Sequence, residues 1–280
     1  MKKLNRSWFG SLPLFIFLAL AGAFMILPIL FTVNNAFKPL DEFFIFPPQI
    51  FVRNPTTDNF TDLILLLRDS WVPFTRYLFN TFFITVCGII GHTLFASAAA
   101  YPLAKHRFRG KQTLFTIVVL ALMFTPHVTR IPNYMIMSEL GWIDTYWSLV
   151  IPAFALPLGL YLMKQFMESL PDSIMESAKI DGASEYRIYW SIIMPNVKPA
   201  VFTLIILQFI QLWGNDGYGF IYSEDLKPLP FALAQIGLGG FVRQGAQAAA
   251  LFLLMVVPVT LFIFMQSRII ETMATSGMKD

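Results

Sequence analysis

Two polar and aromatic runs interrupt an otherwise apolar sequence and hold most of the groups able to bind a solute. One comprises Phe124, Thr125, His127, Thr129, Arg130, Asn133 and Tyr134 around Pro126 and Pro132; the other comprises Trp213, Asn215, Asp216 and Tyr218. Hydroxyls, amides and a guanidinium hydrogen-bond polar solutes and aromatic faces stack on them, so both runs are candidates for a solute pathway. Each residue also fits a helix-end cap or an interfacial aromatic belt. Neither run has the spacing of a catalytic or metal site, and no paired carboxylates or Ser/His/Asp arrangement are supported by local spacing elsewhere. Cys87 is the only cysteine, which excludes an intrachain disulfide and a Cys-based metal centre. A Gly-x-x-x-x-Gly-Lys-Ser/Thr stretch is absent, so the chain has no P-loop for ATP. The expectation is a protein without catalytic residues, metal or cofactor of its own.

The elements that must position these groups are membrane helices. Of the 280 residues 56% are hydrophobic and only 13% charged, too few charges to cover a soluble core, where about 25% is usual. The net charge of +3 does not point to nucleic acid, because the basic residues sit in short clusters beside apolar runs, as topology signals do. Runs near 11–33, 78–103, 113–133, 145–164, 199–216 and 248–267 are apolar enough to be spans of about 20 residues, which predicts an all-α membrane protein with about six of them. The first run follows Lys2, Lys3 and Arg6 and contains Ala19-Leu20-Ala21, like a secretory signal. It continues well past a signal's apolar region, so an uncleaved anchor helix is expected.

Most of the 20 Lys and Arg, among them Lys105, Arg107, Arg109, Lys111, Lys164, Lys179 and Arg187, fall on one side if the N-terminus is inside. The positive-inside rule then puts both termini in the cytoplasm. The spans are almost free of ionisable groups apart from His92 and His127, which argues against an ion-coupled carrier. His92 lies among Gly88, Gly91, Ala96 and Ala100 and reads as a hydrogen-bonded packing histidine. Pro126, Pro132, Pro152, Pro157 and Pro258 fall inside spans, as broken helices beside a pathway or as simple kinks. The stretch from Lys38 to Arg76 reads as a folded outer loop. The chain is treated as one domain, 1–280, with its core near 78–267.

Between the fourth and fifth spans, residues 168–199 are too polar to span and too patterned for a linker. Pro171 suits the first position of a helix whose inner face is Ile174, Met175 and Ala178. Gly182 permits a sharp turn, Ser184 caps a second helix, and Pro195 is expected to stop it.

Within this loop, Glu176-Ser177-Ala178, Asp181-Gly182-Ala183 and Ile192-x-Met194-Pro195 resemble the EAA loop of permease subunits in binding-protein-dependent ABC importers, whose pattern is E-A-A-x-x-x-G, nine residues, then I-x-L-P. The spacing is intact; Ser177 stands for Ala and Met194 for Leu, both mild exchanges. Tyr101-Pro102-Leu103-Ala104, Phe108-Arg109-Gly110-Lys111, Gly141 to Tyr146, Trp213 to Asp216 and the tail Ser276 to Lys279 are similar to the carbohydrate branch, the maltose-type permeases. The resemblance implies a transmembrane subunit of the bacterial cytoplasmic membrane that moves a mono- or oligosaccharide by alternating access. It implies a second permease, a dimer of ABC ATPases carrying ATP and Mg, and an extracytoplasmic solute-binding protein as partners. It also assigns Glu176, Ser177, Ala178, Asp181, Gly182 and Ala183 to ATPase coupling: Glu176 would meet a basic residue, and Ala178 and Ala183 would allow close approach. The alternatives are an amino-acid or peptide permease, which would lack the Asn215-Asp216 segment and the tail, and a self-contained ion-coupled carrier, which would leave the loop unexplained.

Overall fold

The computed structural model describes residues 8–47, 49–68 and 72–276, and all of its regular elements are helical. Lys2, Lys3, Arg6 and the tail residues Gly277, Met278 and Lys279 lie outside the described residues. The chain divides into two compact units, one of residues 1–70 with 233–255 and one of 71–232 with 256–280.

In the first unit, α1 (Trp8–Ala36) is followed by a short helical turn at Leu40–Phe44 and by α2 (Asp58–Arg68). The stretch after α1 is folded, as its composition suggests, because buried polar groups tie it down. The Asn59 amide donates to the carbonyls of Ala36 and Lys38 at 2.9 and 2.8 Å, and the Glu42 carboxylate accepts the backbone N–H groups of Arg53 and Asn54 at 3.1 and 2.9 Å. Phe37, Phe60 and Phe252 pack ring against ring around this point.

In the second unit, α3 (Phe74–Lys105) is the axis, with α6 (Trp147–Phe154), α7 (Pro157–Glu168) and α11 (Lys198–Trp213) packed on it. Its 32 residues rise about 48 Å at ~1.5 Å each, more than the ~30 Å of a hydrocarbon core. Three glycines set the packing distance. A Cβ on Gly91 would lie 2.0 Å from the Phe154 ring, one on Gly88 2.4 Å from Leu212 Cδ1, and one on Gly159 of α7 2.1 Å from His92 Nε2. His92 is buried with Nδ1 3.2 Å from the Phe154 carbonyl, a hydrogen-bonded packing residue. Cys87 packs against the core of Ile84, Leu149, Val150 and Leu212.

Helices occupy each of the six expected runs, with two of the runs broken. The third becomes α4 (Lys111–Ala121) and α5 (Pro126–Glu139), and the fourth becomes α6 and α7. Both breaks fall before a proline: Thr125 (φ −76°, ψ 150°) and Leu156 (φ −67°, ψ 123°) are extended because the following ring excludes the helical conformation. Pro132, Pro152 and Pro258 stay inside their helices. Among the described residues, four helices are long and apolar enough to cross a membrane: Leu12–Ala36, Phe74–Lys105, Trp147–Glu168 and Phe241–Gln266. A fifth is counted if Glu185–Asn196 and Lys198–Trp213, bent by 75°, are one. The last two α-helices are α12 (Leu229–Gly237) and α13 (Gln244–Ser276), inside which the division between the two units falls.

Candidate functional site

The loop after α7 folds as two helices around a left-handed turn. α8 (Asp172–Ile180) begins one residue after Pro171, which is extended rather than the first helical residue. It ends in a Schellman motif: Gly182 N–H donates to the Lys179 carbonyl at 3.0 Å and Ala183 N–H to the Ala178 carbonyl at 2.9 Å. Gly182 sits at φ +77° with nothing within 4 Å of a would-be Cβ, so conformation, not crowding, requires glycine there. The Ser184 hydroxyl then accepts the Arg187 N–H at 3.3 Å and caps α9 (Glu185–Ile188).

Pro195 does not stop this second helix. The run continues through a widened π turn at Tyr189–Ile193 into α10 (Met194–Asn196), with Met194 N–H donating to the Tyr189 carbonyl. The wider turn accommodates a ring that cannot donate and would clash with a carbonyl of the preceding turn, and the direction changes only at Val197.

The two alanines assigned to close approach by a partner pack against the chain's own core. Ala178 is buried with Met175 in a core built from Ala96, Ala100, Met163, Met167, Ile188, Ile193 and Leu204, and Ala183 packs half-buried on the same core. Their small size lets α8 lie flat on this chain. Glu176, Ser177, Asp181 and Gly182 are exposed, and Ile174 turns to the edge of the inner face rather than into it. Ser177 satisfies its own hydroxyl by donating to the Ser173 carbonyl at 2.9 Å. Sequence reasoning missed Ile180 and Tyr186, 86% and 75% exposed, which give this polar face its apolar surface. Ile180 stands one turn beyond Glu176, a position readable from the helical period.

Side chains from the end of α3 hold the loop. Tyr101 donates to Glu185 Oε2 at 2.8 Å, Ser97 Oγ and Tyr189 OH are 2.7 Å apart, and Lys105 donates to the Leu170 carbonyl and, at 2.7 Å, to Asp172 Oδ1. Lys179 pairs with Glu185 at 2.7 Å. The hydrogen bond and charge of Lys105 hold the Asp172 carboxyl below its usual value.

At the opposite end of α3 the structure joins the two polar runs. Arg130 Nη2 donates to the Tyr218 carbonyl at 2.6 Å, and its guanidinium lies 5.1 Å from the centre of the Tyr218 ring. Arg130, Ile131, Tyr134, Gly219, Phe220 and Tyr222 line a cavity of about 250 Å³. Phe124 and His127 are exposed and Asn133 half-buried, and none of the three lines that cavity. Trp213 is buried, stacked on Phe209 at 5.4 Å, and does not line that cavity. Asn215 and Asp216 are spent on turns: their Oδ1 atoms accept the N–H groups of Gly217 and Tyr218, each at 2.9 Å.

The Gly141–Tyr146 segment braces the same loop. Asp144, at φ +60°, accepts the N–H groups of Tyr222 and Ser223 at 2.9 and 2.8 Å and the Ser223 hydroxyl, and donates its own N–H to the Phe220 carbonyl at 2.8 Å. Burial pushes this carboxyl up, but those hydrogen bonds from Ser223 and Tyr222 outweigh it and leave it below its ordinary value. Fully buried Asn80 of α3 accepts from Tyr146 OH at 2.6 Å and donates to the carbonyls of Asp225 and Lys227 at 2.8 and 2.9 Å. Tyr77 donates to Glu224 Oε1 at 2.7 Å, and Thr81 Oγ1 accepts the Leu229 N–H at 2.7 Å. No cluster of His, Cys, Asp or Glu that could hold a metal occurs among the described residues.

Comparison with known proteins follows the same lines. The family profile described as "Binding-protein-dependent transport system inner membrane component" matches residues 92–274. Protein LplC of Bacillus subtilis is 33% identical over 79% of this chain and 73% of its own length. The arabinooligosaccharides transport system permease protein AraQ of Halalkalibacterium halodurans is 28% identical over 98% of this chain and 96% of its own. Among solved structures, a chain of a bacterial ABC transporter involved in the import of the acidic polysaccharide alginate superposes with a TM-score of 0.78 over 95% of this chain and 99% of that one, at 20% identity, which shows the shared fold.

Proposed function

Since the chain belongs to the family of binding-protein-dependent transport system inner membrane components, we propose that it is one transmembrane subunit of an ATP-driven importer and passes a carbohydrate across the cytoplasmic membrane of a bacterium. The observation that carries the reading is the loop itself. The E-S-A-x-x-x-G spacing folds into a helix closed by a left-handed turn, with Glu176, Ile180 and Asp181 facing outward and Asp172, Glu185 and Tyr189 fastened to α3. That face is the dock for an ATPase, which carries ATP and Mg. Relatives named for arabino-oligosaccharides and galacto-oligosaccharides support the carbohydrate class.

The mechanism needs no covalent chemistry on this chain. Two ATPases closing on ATP draw the docked α8 helices of this subunit and of a second permease together. The spans above them reorient, and a central passage opens to one side at a time. A solute-binding protein delivers solute on the face away from the dock, where Arg130, Tyr134 and Tyr222 offer donors and aromatic surfaces. The distribution of Lys and Arg supports a multi-pass arrangement with both termini on the dock side.

The test is uptake of a labelled oligosaccharide by proteoliposomes holding this chain, its partner permease, the ATPases and the binding protein. Uptake that requires ATP and survives collapse of ion gradients is expected. Uptake that persists without ATP while an ion gradient is kept would overturn the reading.

A further inference from the structure

Helix α3 is fastened near both of its ends to segments remote in sequence, and each fastening serves one of the two working surfaces. Near one end, Ser97 and Tyr101 hold Tyr189 and Glu185 of the docking loop. Near the other, Asn80 and Thr81 hold the backbone of the 225–229 segment, and Tyr77 holds Glu224. Between Asn80 and Tyr101 the helix rises about 32 Å, roughly the thickness of a hydrocarbon core. That interval is uninterrupted helix without proline, since Pro102, the one proline within α3, lies just beyond it. Its two glycines offer no slack, since Leu212 and Phe154 occupy the space where their Cβ atoms would be. The ordinary sources of a hinge, a proline, a loose glycine or an inserted turn, are therefore absent along the whole crossing.

Building on the importer reading, we infer that α3 is the rod that transmits movement of the docking loop to the far mouth, and that Asn80 is the positioning residue at its distal end. Asn80 suits the role because one side chain joins three segments. It accepts from Tyr146 and donates to two carbonyls of the 225–227 loop, in a site closed to water that could replace those bonds. A shift of α8 and α9 pulls on the Tyr101 and Ser97 hydroxyls. The helix cannot absorb the shift by bending, so the loop held by Asn80 moves with it. Linkage is reciprocal: a solute-binding protein that engages the far mouth biases the dock through the same contacts.

The experiment is ATP hydrolysis by the full reconstituted complex, with and without solute-loaded binding protein. In the wild type, hydrolysis rises on addition of the binding protein; if it does not, the importer reading itself fails, and no variant is needed to see that. In Asn80→Ala the stimulation is expected to fall by about tenfold, inside the ~5–150-fold range of ordinary coupling between sites, while basal hydrolysis and subunit composition are unchanged. Ser97→Ala combined with Tyr101→Phe at the other end is expected to cut the stimulation in the same way. Full stimulation in Asn80→Ala, or basal and stimulated rates falling in equal proportion as for a merely unstable protein, overturns the inference. If Asn80→Ala does not assemble, Tyr77→Phe and Thr81→Val each remove one bond to the same loop, and undiminished stimulation in both has the same meaning.

Discussion

The Arg130 guanidinium donates to the Tyr218 carbonyl at 2.6 Å and stacks over the Tyr218 ring at 5.1 Å, joining two segments that are 88 residues apart. Gly219 beside it sits at φ +86°, where glycine is favoured, and a Cβ there would also stand 3.2 Å from Arg130 Nη2. The contact places the arginine at the rim of the cavity that Tyr134 and Tyr222 complete.

Replacing Arg130 by Gln should therefore loosen the loop without unfolding the protein. The contact is exposed, so its loss is worth no more than about 1 kcal/mol, or roughly a fivefold rise in amide exchange confined to 218–222. Hydrogen exchange on the purified protein reads this directly; an unchanged rate would mean that the loop is held by Asp144 alone.

Gly182 should not tolerate a β-branched residue. Gly182→Val must hold φ near +77° at a cost of roughly 1–2 kcal/mol or abandon the Schellman turn. The expected result is a chain that still inserts in membranes but hydrolyses ATP without transport in the reconstituted complex. Normal uptake by this variant would rule out the turn as part of the coupling path.

Gly159→Ala should lower thermal stability, because the new methyl would lie 2.1 Å from His92 Nε2 and 3.0 Å from Leu204 Cδ1. Overpacking of this kind costs about 1–3 kcal/mol. Adding His92→Ala should recover part of it, since the two sites share one space. A melting temperature for Gly159→Ala equal to that of the wild type would contradict the packing described.

Asp144 predicts a pH dependence. Its carboxyl titrates lower in the folded protein than its ordinary value of 3.8, so its stabilisation is complete above that value and is lost as pH falls through the lower, folded value. Thermal scans from neutral pH downward should show the wild type losing stability below about pH 4 more steeply than Asp144→Asn. Parallel curves would mean that Asp144 is not the group responsible.

Much of this was legible in the sequence because it is local. The loop between α7 and α11 is defined by spacing within 20 residues of chain, so its two helices, the turn at Gly182 and the cap at Ser184 follow from helix chemistry. The breaks before Pro126 and Pro157 follow from the restriction a proline places on its predecessor. Pro195 misled because a single π turn, which has no sequence signature, absorbs it. The burial of Ala178 depends on Met163, Met167 and Leu204 from other helices, which its place in the loop motif does not reveal. Asn80 with Asp225, and Arg130 with Tyr218, could not be read at all: polar groups so far apart in sequence carry no periodicity that would pair them.

The central claim is that the exposed face of α8 is where an ATPase docks. Its most direct test is to tag the chain, extract it gently from native membranes, and identify by mass spectrometry what accompanies the wild type and Ile180→Asp. The account predicts that a P-loop ATPase and a second permease come with the wild type, and that Ile180→Asp keeps the permease but loses most of the ATPase. A wild-type chain recovered alone under several mild detergents, or an ATPase held equally well by Ile180→Asp, would contradict it.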